Sequence, residues 1–187
     1  QAHTGTTKRI KKKGCYKNVV SAIQNRTSYK GAYESSPVSR ADLQAILEAG
    51  LAAPSGCNKQ TTKLIAVDDP EILRKLKELA DLPWAETAPA AIAVLTERVF
   101  AYRDKCFSVQ DYSAAIENML LCMVALGYQS CWVEGHITDA DAIGRRMADV
   151  LGVPEQYELV CYLPLGKAAE DLRHVKKQPF GERAWFN

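Results

Sequence analysis

Ala53-Pro54-Ser55-Gly56-Cys57-Asn58-Lys59-Gln60 places hydroxyl, amide and thiol groups within eight residues that hold one base and no acid. Pro54 resists helix continuation, Gly56 permits a positive φ, and Ser55 and Asn58 can bond either backbone or ligand. Neutral donors and acceptors at this density suit a polar, uncharged heterocycle better than a metal ion or a scissile carbonyl. Taken alone, the stretch reads first as a turn that stops a helix.

Two other stretches could do chemistry. Arg26, Ser28 and Lys30 alternate, so an extended chain points all three to one side. Two cations and a hydroxyl on one side can grip a phosphate, and they also suit an exposed basic turn. Glu134 precedes Gly135 at the end of an apolar run, where its carboxylate is either a site group or a satisfied strand-end acid. The histidines are His3, His136 and His174, and no nucleophile motif points to any of them. Gly-x-Gly phosphate loops, His-Glu-x-x-His and the nucleophile elbow are missing, and no ligand spacing suggests a metal site.

The elements that must position these groups follow from hydrophobic period and punctuation. A helix is expected from about residue 16 to 25, with Val19, Val20 and Ile23 on one face. Ser39 caps a second helix, whose inward stripe is Leu43, Ile46, Leu47 and Leu51. Leu64 to Val67 is a strand, and Asp69-Pro70 opens a helix to about Ala80 with Ile72, Leu76 and Leu79 inward. Ala90 to Leu95 is a second strand. Arg98 to Val109 shows no period and is expected to be a mobile loop whose aromatics can cover a ligand. The longest helix runs from Gln110 to Leu126 and stops at Gly127. A strand at 131–136, a helix capped by Thr138 and Asp141, and a strand at 159–163 complete the pattern. Trp185 and Phe186 close the sequence, placed to pack on a surface, a partner's included.

Composition bounds the class. The 187 residues are 47% hydrophobic and 25% charged, as in a globular single domain. No apolar run is long enough to span a bilayer. Six positives and no acid fall in residues 1–17, leaving 18 bases against 22 acids elsewhere. The segment Lys8 to Lys13 lacks interleaved aromatics and no nucleic-acid module follows it, so nucleic acid is not an expected partner. The six cysteines form no Cys-x-x-Cys pair, which points to reduced thiols and a cytoplasmic setting.

Five motifs in order resemble the FMN-dependent nitroreductase family, from about residue 18 to the C-terminus. Arg26-Thr27-Ser28-Tyr29-Lys30 is similar to Arg-x-Ser-x-Arg/Lys, and Ala53 to Gln60 is similar to Ala-Pro-Ser-x-x-Asn-x-Gln. Asp111 to Asn118 resembles the start of the family's central helix. Leu126-Gly127-Tyr128-Gln129-Ser130-Cys131-Trp132 resembles Leu-Gly-x-x-Ser-Cys-Trp, and Glu134-Gly135 resembles the turn that follows. The sequence departs from the pattern at Thr61-Thr62, where Pro-Trp is common, and in carrying Lys30, Lys176 and Lys177 where arginine is frequent.

The resemblance implies an α+β three-layer fold, with a mixed, largely antiparallel sheet flanked by helices in an intertwined homodimer. Alternating helices and strands alone would suggest a parallel, doubly wound sheet, so the two expectations differ. The charge count sets apart a basic arm at 1–17, and the resemblance implies one FMN-binding domain at 18–187, with a C-terminal arm from about 167. Arg26, Ser28, Lys30 and Lys176 or Lys177 would hold the FMN phosphate. Pro54, Ser55, Asn58 and Gln60 would lie along the flavin ring, with the Glu134-Gly135 backbone near N5. The implied activity passes hydride from NADH or NADPH to the flavin and two electrons on to a nitroaromatic, quinone or similar acceptor, with no catalytic side chain. A non-catalytic FMN sensor or carrier, reductive dehalogenation and flavin fragmentation are the alternatives.

Overall fold

The structure is a computed structural model, and residues 19–187 are described. The basic arm at 1–17 and the start of the first expected helix lie outside them. The remainder of that helix is α1, Val19–Asn25. Ala22 is buried, whereas Val19, Val20 and Ile23 face outward.

Four strands form the central sheet: β1 (Thr62–Val67), β2 (Ala90–Thr96), β5 (Gln129–Ser130) and β6 (Glu158–Gly166). Their order is β1-β2-β6-β5, and every pairing is antiparallel. The parallel arrangement suggested by alternation does not form. β3 (Phe100–Tyr102) and β4 (Lys105–Cys106) make a separate two-stranded hairpin.

Helices cover both faces of the sheet because β2 is apolar on both sides. Ala90, Ile92 and Val94 point into one core with α2 (Arg40–Leu51) and α4 (Ser108–Leu126). Ala91, Ala93 and Leu95 point into the other with α3 (Pro70–Ala80) and α5 (Ile143–Val150). This period-two division puts a fully buried strand at the centre of three layers. A bulge interrupts the alternation where Val94 pairs with Cys161 but Leu95 pairs with Leu159.

Local signals set most helix ends as expected. The Ser39 hydroxyl accepts from Asp42 N–H, Asp69 accepts from Glu71 and Ile72, and Gly127 takes φ 88° at the end of α4. Leu51 departs from its expected place. It is 62% exposed, because α2 turns Gly50 inward against Leu64 and Met119, where a Cβ would come within 2.8 Å. On α3, Leu76 is buried as expected, but Ile72 and Leu79 are half-buried while Leu73 and Ala80 fill the interior.

Three expectations are corrected. Arg98 to Val109 is not a featureless loop; it holds the β3–β4 hairpin and the first residues of α4. The strand expected at 131–136 lies at Gln129–Ser130, and only an isolated bridge from Val133 to Tyr162 continues it. Thr138 and Asp141 cap nothing. Glu134 O accepts the Ile137 and Thr138 N–H groups and the Thr138 hydroxyl, so a turn fills this stretch, and α5 begins only after Ala142 at φ 58°. Among the described residues, no helix is long and apolar enough to cross a membrane.

Candidate functional site

Residues 26–34 run extended beside the last stretch of chain. Tyr29 N–H donates to Ser130 O at 3.0 Å, Glu34 N–H to Lys167 O at 2.9 Å, and the Thr27 hydroxyl to Arg173 O at 2.7 Å. The expected alternation is realised: Thr27 and Tyr29 are buried, while Ser28 and Lys30 are exposed and Arg26 is half-buried. Arg26, Ser28, His174 and Lys177 line one cavity of about 450 Å³. Arg26 Nε also lies 3.5 Å from a Glu117 oxygen on α4.

Lys30 belongs to the adjoining cavity of about 290 Å³, with Ser28, Glu170, Asp171 and Arg173. Its ammonium sits 5.9 Å from the centre of the Trp84 ring. Of the two C-terminal lysines, Lys177 meets the Arg26 cavity, and Lys176 is exposed outside both.

The loop after α2 is built around a buried acid. One Asp111 oxygen accepts Gly56 N–H at 2.7 Å, and the other accepts the Thr61 hydroxyl at 2.9 Å. The Ser55 hydroxyl accepts Gln60 N–H at 3.0 Å and closes the turn. Positive φ falls on Cys57, Asn58 and Gln60 rather than on Gly56. Glycine at 56 answers a different need, since a Cβ there would lie 2.5 Å from Phe107 Cδ2. Pro54, Ser55 and Gln60 line a cavity of about 390 Å³ with Lys63 and Asp111, whereas Asn58 and Cys57 are exposed outside it.

A third group stands at the end of β5. The Tyr112 hydroxyl donates to Glu134 Oε1 at 2.5 Å, and Trp132 Nε1–H donates to Oε2 at 2.8 Å. Burial first, and the Glu134 carboxylate second, push the Tyr112 phenol well above its usual range. Gly135 is exposed, and a Cβ built on it would meet nothing within 4 Å among the described residues. Backbone at this turn can therefore be approached closely. His136 binds Ala80 O through Nε2 at 2.8 Å, a structural contact. Near the hairpin, Ser108 and then Arg98 draw the Cys106 thiol below its usual range.

The sequence profile of the Nitroreductase family matches residues 23–85 and 77–167. The chain belongs to the nitroreductase family. It is 32% identical over 145 residues to the "Putative NADH dehydrogenase/NAD(P)H nitroreductase" of Archaeoglobus fulgidus, covering 77% of this chain and 82% of that one. A crystal structure of a nitroreductase with bound FMN from Bacteroides fragilis aligns at TM-score 0.73 and 29% identity, over 90% of this chain and 98% of that one. An FMN-dependent nitroreductase from Clostridium difficile R20291 aligns at TM-score 0.76 and 25% identity, over 90% and 98%.

Against that family background, several residues of these three groups went unassigned in the sequence. Asp111 sits four residues before Ala115 and eight before Met119, on the inward stripe of α4. An acid on that stripe signals a buried hydrogen-bond hub. Tyr112 stands likewise four residues before Ile116. His174 gave no sequence signal, since its place beside Arg26 depends on the return of the C-terminal segment.

Proposed function

We propose that this chain is an FMN-dependent oxidoreductase that takes reducing equivalents from NADH or NADPH and delivers two electrons to an electron-poor acceptor, such as a nitroaromatic or a quinone. The observation that carries the reading is the cavity bounded by Arg26, Ser28, His174 and Lys177. Its donor set matches a phosphate dianion: arginine binds bidentately, lysine acts as a point charge, and the hydroxyl donates a third bond.

FMN, when bound, supplies the two-electron chemistry, so no protein nucleophile is needed. Arg26 and Lys177 hold the phosphate, with Lys30 and Lys176 near enough in sequence to add to the field. Pro54, Ser55 and Gln60 wall the ring, and Asn58 stands at the rim of that loop. The Gly135 N–H, on a turn whose acid is braced by Tyr112 and Trp132, donates where negative charge develops on reduction. A backbone donor stabilises that charge without adding a group that titrates.

The Arg26 cavity and the Pro54 cavity are separate in one chain. We take a second copy to complete the site, in a homodimer. Apolar side chains exposed on α1 (Val19 and Ile23) and on the C-terminal segment (Val175, Phe180, Trp185 and Phe186) support that reading. The segment from about 167 is the proposed arm of a domain that spans 18–187.

The test is spectral. Purified protein should be yellow, or take up FMN when it is added, and the flavin band should bleach anaerobically with NADH or NADPH and return with a quinone. Protein that takes up no FMN sinks the proposal. Arg26→Ala should release FMN at least tenfold more readily while unfolding within about 1 kcal/mol of wild type, since its partly exposed, 3.5 Å pair with Glu117 stabilises little. Equal loss of both would make Arg26 a structural residue.

A further inference from the structure

We infer that the tip of the β3–β4 hairpin, through Tyr102, Arg103 and Lys105, binds the adenosine 2′-phosphate of NADPH and makes NADPH the preferred donor; this rests on the flavin-enzyme reading above. The hairpin stands next to the candidate flavin loop, for β3 packs against the Gly56–Asn58 turn. Both of its feet are clamped. At the entrance, Arg98 Nε and Nη2 reach the two Glu158 oxygens at 2.7 and 2.8 Å. At the exit, the Phe107 ring lies against Gly56 so closely that no side chain fits there.

The hairpin carries an exposed aromatic and cationic surface, with Phe100 at its base opposite Cys106 and Tyr102 beside the turn opposite Lys105. Phe100 is 69% exposed and Tyr102 50%, although aromatic rings normally fold inward when they have no other work. The Arg103 guanidinium lies 5.2 Å from the centre of the Tyr102 ring, and Lys105 is the cross-strand partner of Tyr102. Lys59 follows the Gly56–Asn58 turn, and Lys63 lines the cavity of that loop. Asp104 at the tip and Glu97 at the end of β2 are the nearby acids in sequence, and Arg98 and Glu158 neutralise one another.

With the Arg103 guanidinium over one face of the half-exposed Tyr102 ring, the other face is a platform on which an adenine can stack. Arginine beside the ribose is the usual means of accommodating a 2′-phosphate, and a lysine adds a point charge. NADH has a hydroxyl in that place and would gain nothing from either cation.

The experiment uses the full-length protein loaded with FMN. Calorimetry should show adenosine 2′,5′-bisphosphate binding at least tenfold more tightly than adenosine 5′-monophosphate. In Arg103→Ala/Lys105→Ala that difference should vanish, and the ratio of kcat/KM for NADPH over NADH should fall at least tenfold. Lys75→Ala, which removes one exposed charge on α3, should leave the ratio in place. Equal binding of the two adenosine phosphates by wild type, or an unchanged ratio in the double variant, overturns the assignment. If neither nucleotide bleaches bound flavin while the bisphosphate preference persists, the donor reaction fails and the hairpin remains only an anion site, which also overturns it.

Discussion

The hydroxyl of Tyr112, on α4, donates to the Glu134 carboxylate at 2.5 Å across 22 residues of chain. It ties the longest helix to the Glu134-Gly135 turn, with Trp132 Nε1–H meeting the other oxygen. Tyr112→Phe removes one of these two bonds and keeps the ring in place. Losing a hydrogen bond to a charged acceptor costs about 1.5–3 kcal/mol, so the unfolding midpoint should fall accordingly. With the turn less firmly held, flavin reduction should slow several-fold in stopped-flow while bound FMN is retained. Unchanged reduction with unchanged stability would show that Trp132 alone braces the turn.

Asp111 is the hub of the loop after α2, because its two oxygens serve Gly56 N–H and the Thr61 hydroxyl. Asp111→Ala strands both donors. Each charged hydrogen bond contributes about 1.5–3 kcal/mol, so chemical denaturation should show a loss of about 3 kcal/mol or more. Asp111→Asn keeps one acceptor, and the Thr61 hydroxyl can rotate to suit, so its loss should be about half as large. FMN affinity should follow the same order if the loop walls the ring.

How much of this was legible in the sequence depended on the range of the determining contacts. Ser39, Asp69 and Gly127 act within one turn of themselves, and each helix end they announce is present. The alternation of Arg26, Ser28 and Lys30 is equally local, since an extended chain alternates without help. The β3–β4 hairpin was hidden because its strands are too short to show a period and its aromatic rings face outward. The false cap at Thr138 has a similar origin. Its hydroxyl is taken by Glu134 O, and Gly144 N–H goes to Ile137 O, so the competing turn wins and α5 starts late. Lys177 rather than Lys176 reaches the Arg26 cavity because of the path of the C-terminal segment, which no spacing encodes.

Alkaline titration should destabilise the fold. Burial is the largest cause raising the Tyr33, Tyr112 and Tyr162 phenols above their usual range, and the Tyr33 and Tyr162 hydroxyls find no hydrogen-bond partner among the described residues. Burial raises the Cys122, Cys131 and Cys161 thiols in the same direction. In the unfolded chain these thiols ionise near pH ~8.5 and the phenols near pH ~10. Above those values the unfolded state has released protons that the folded state keeps, so unfolding becomes more favourable as pH rises. Stability should be flat in these groups below about pH 8, decline gently to about pH 10 and then steepen, by up to about 1.4 kcal/mol per pH unit for each phenol. Urea midpoints from pH 7 to 11 would check this, and a midpoint that rises above pH 10 would contradict it.

Gly135 separates stability from chemistry most cleanly. Its φ is not in the left-handed region, and a Cβ there meets nothing within 4 Å among the described residues, so nothing described in this chain requires glycine. Gly135→Val should therefore unfold within about 0.5 kcal/mol of wild type, as exposed substitutions ordinarily do. A flat ring seated against the Gly135 N–H would meet the new methyl groups directly. FMN should then dissociate at least tenfold faster, or the flavin should reduce at least tenfold more slowly, in a protein whose melting curve is unchanged. If Gly135→Val binds and turns over flavin like wild type, the ring does not approach this turn, and the donor assigned to the Gly135 backbone must be sought elsewhere.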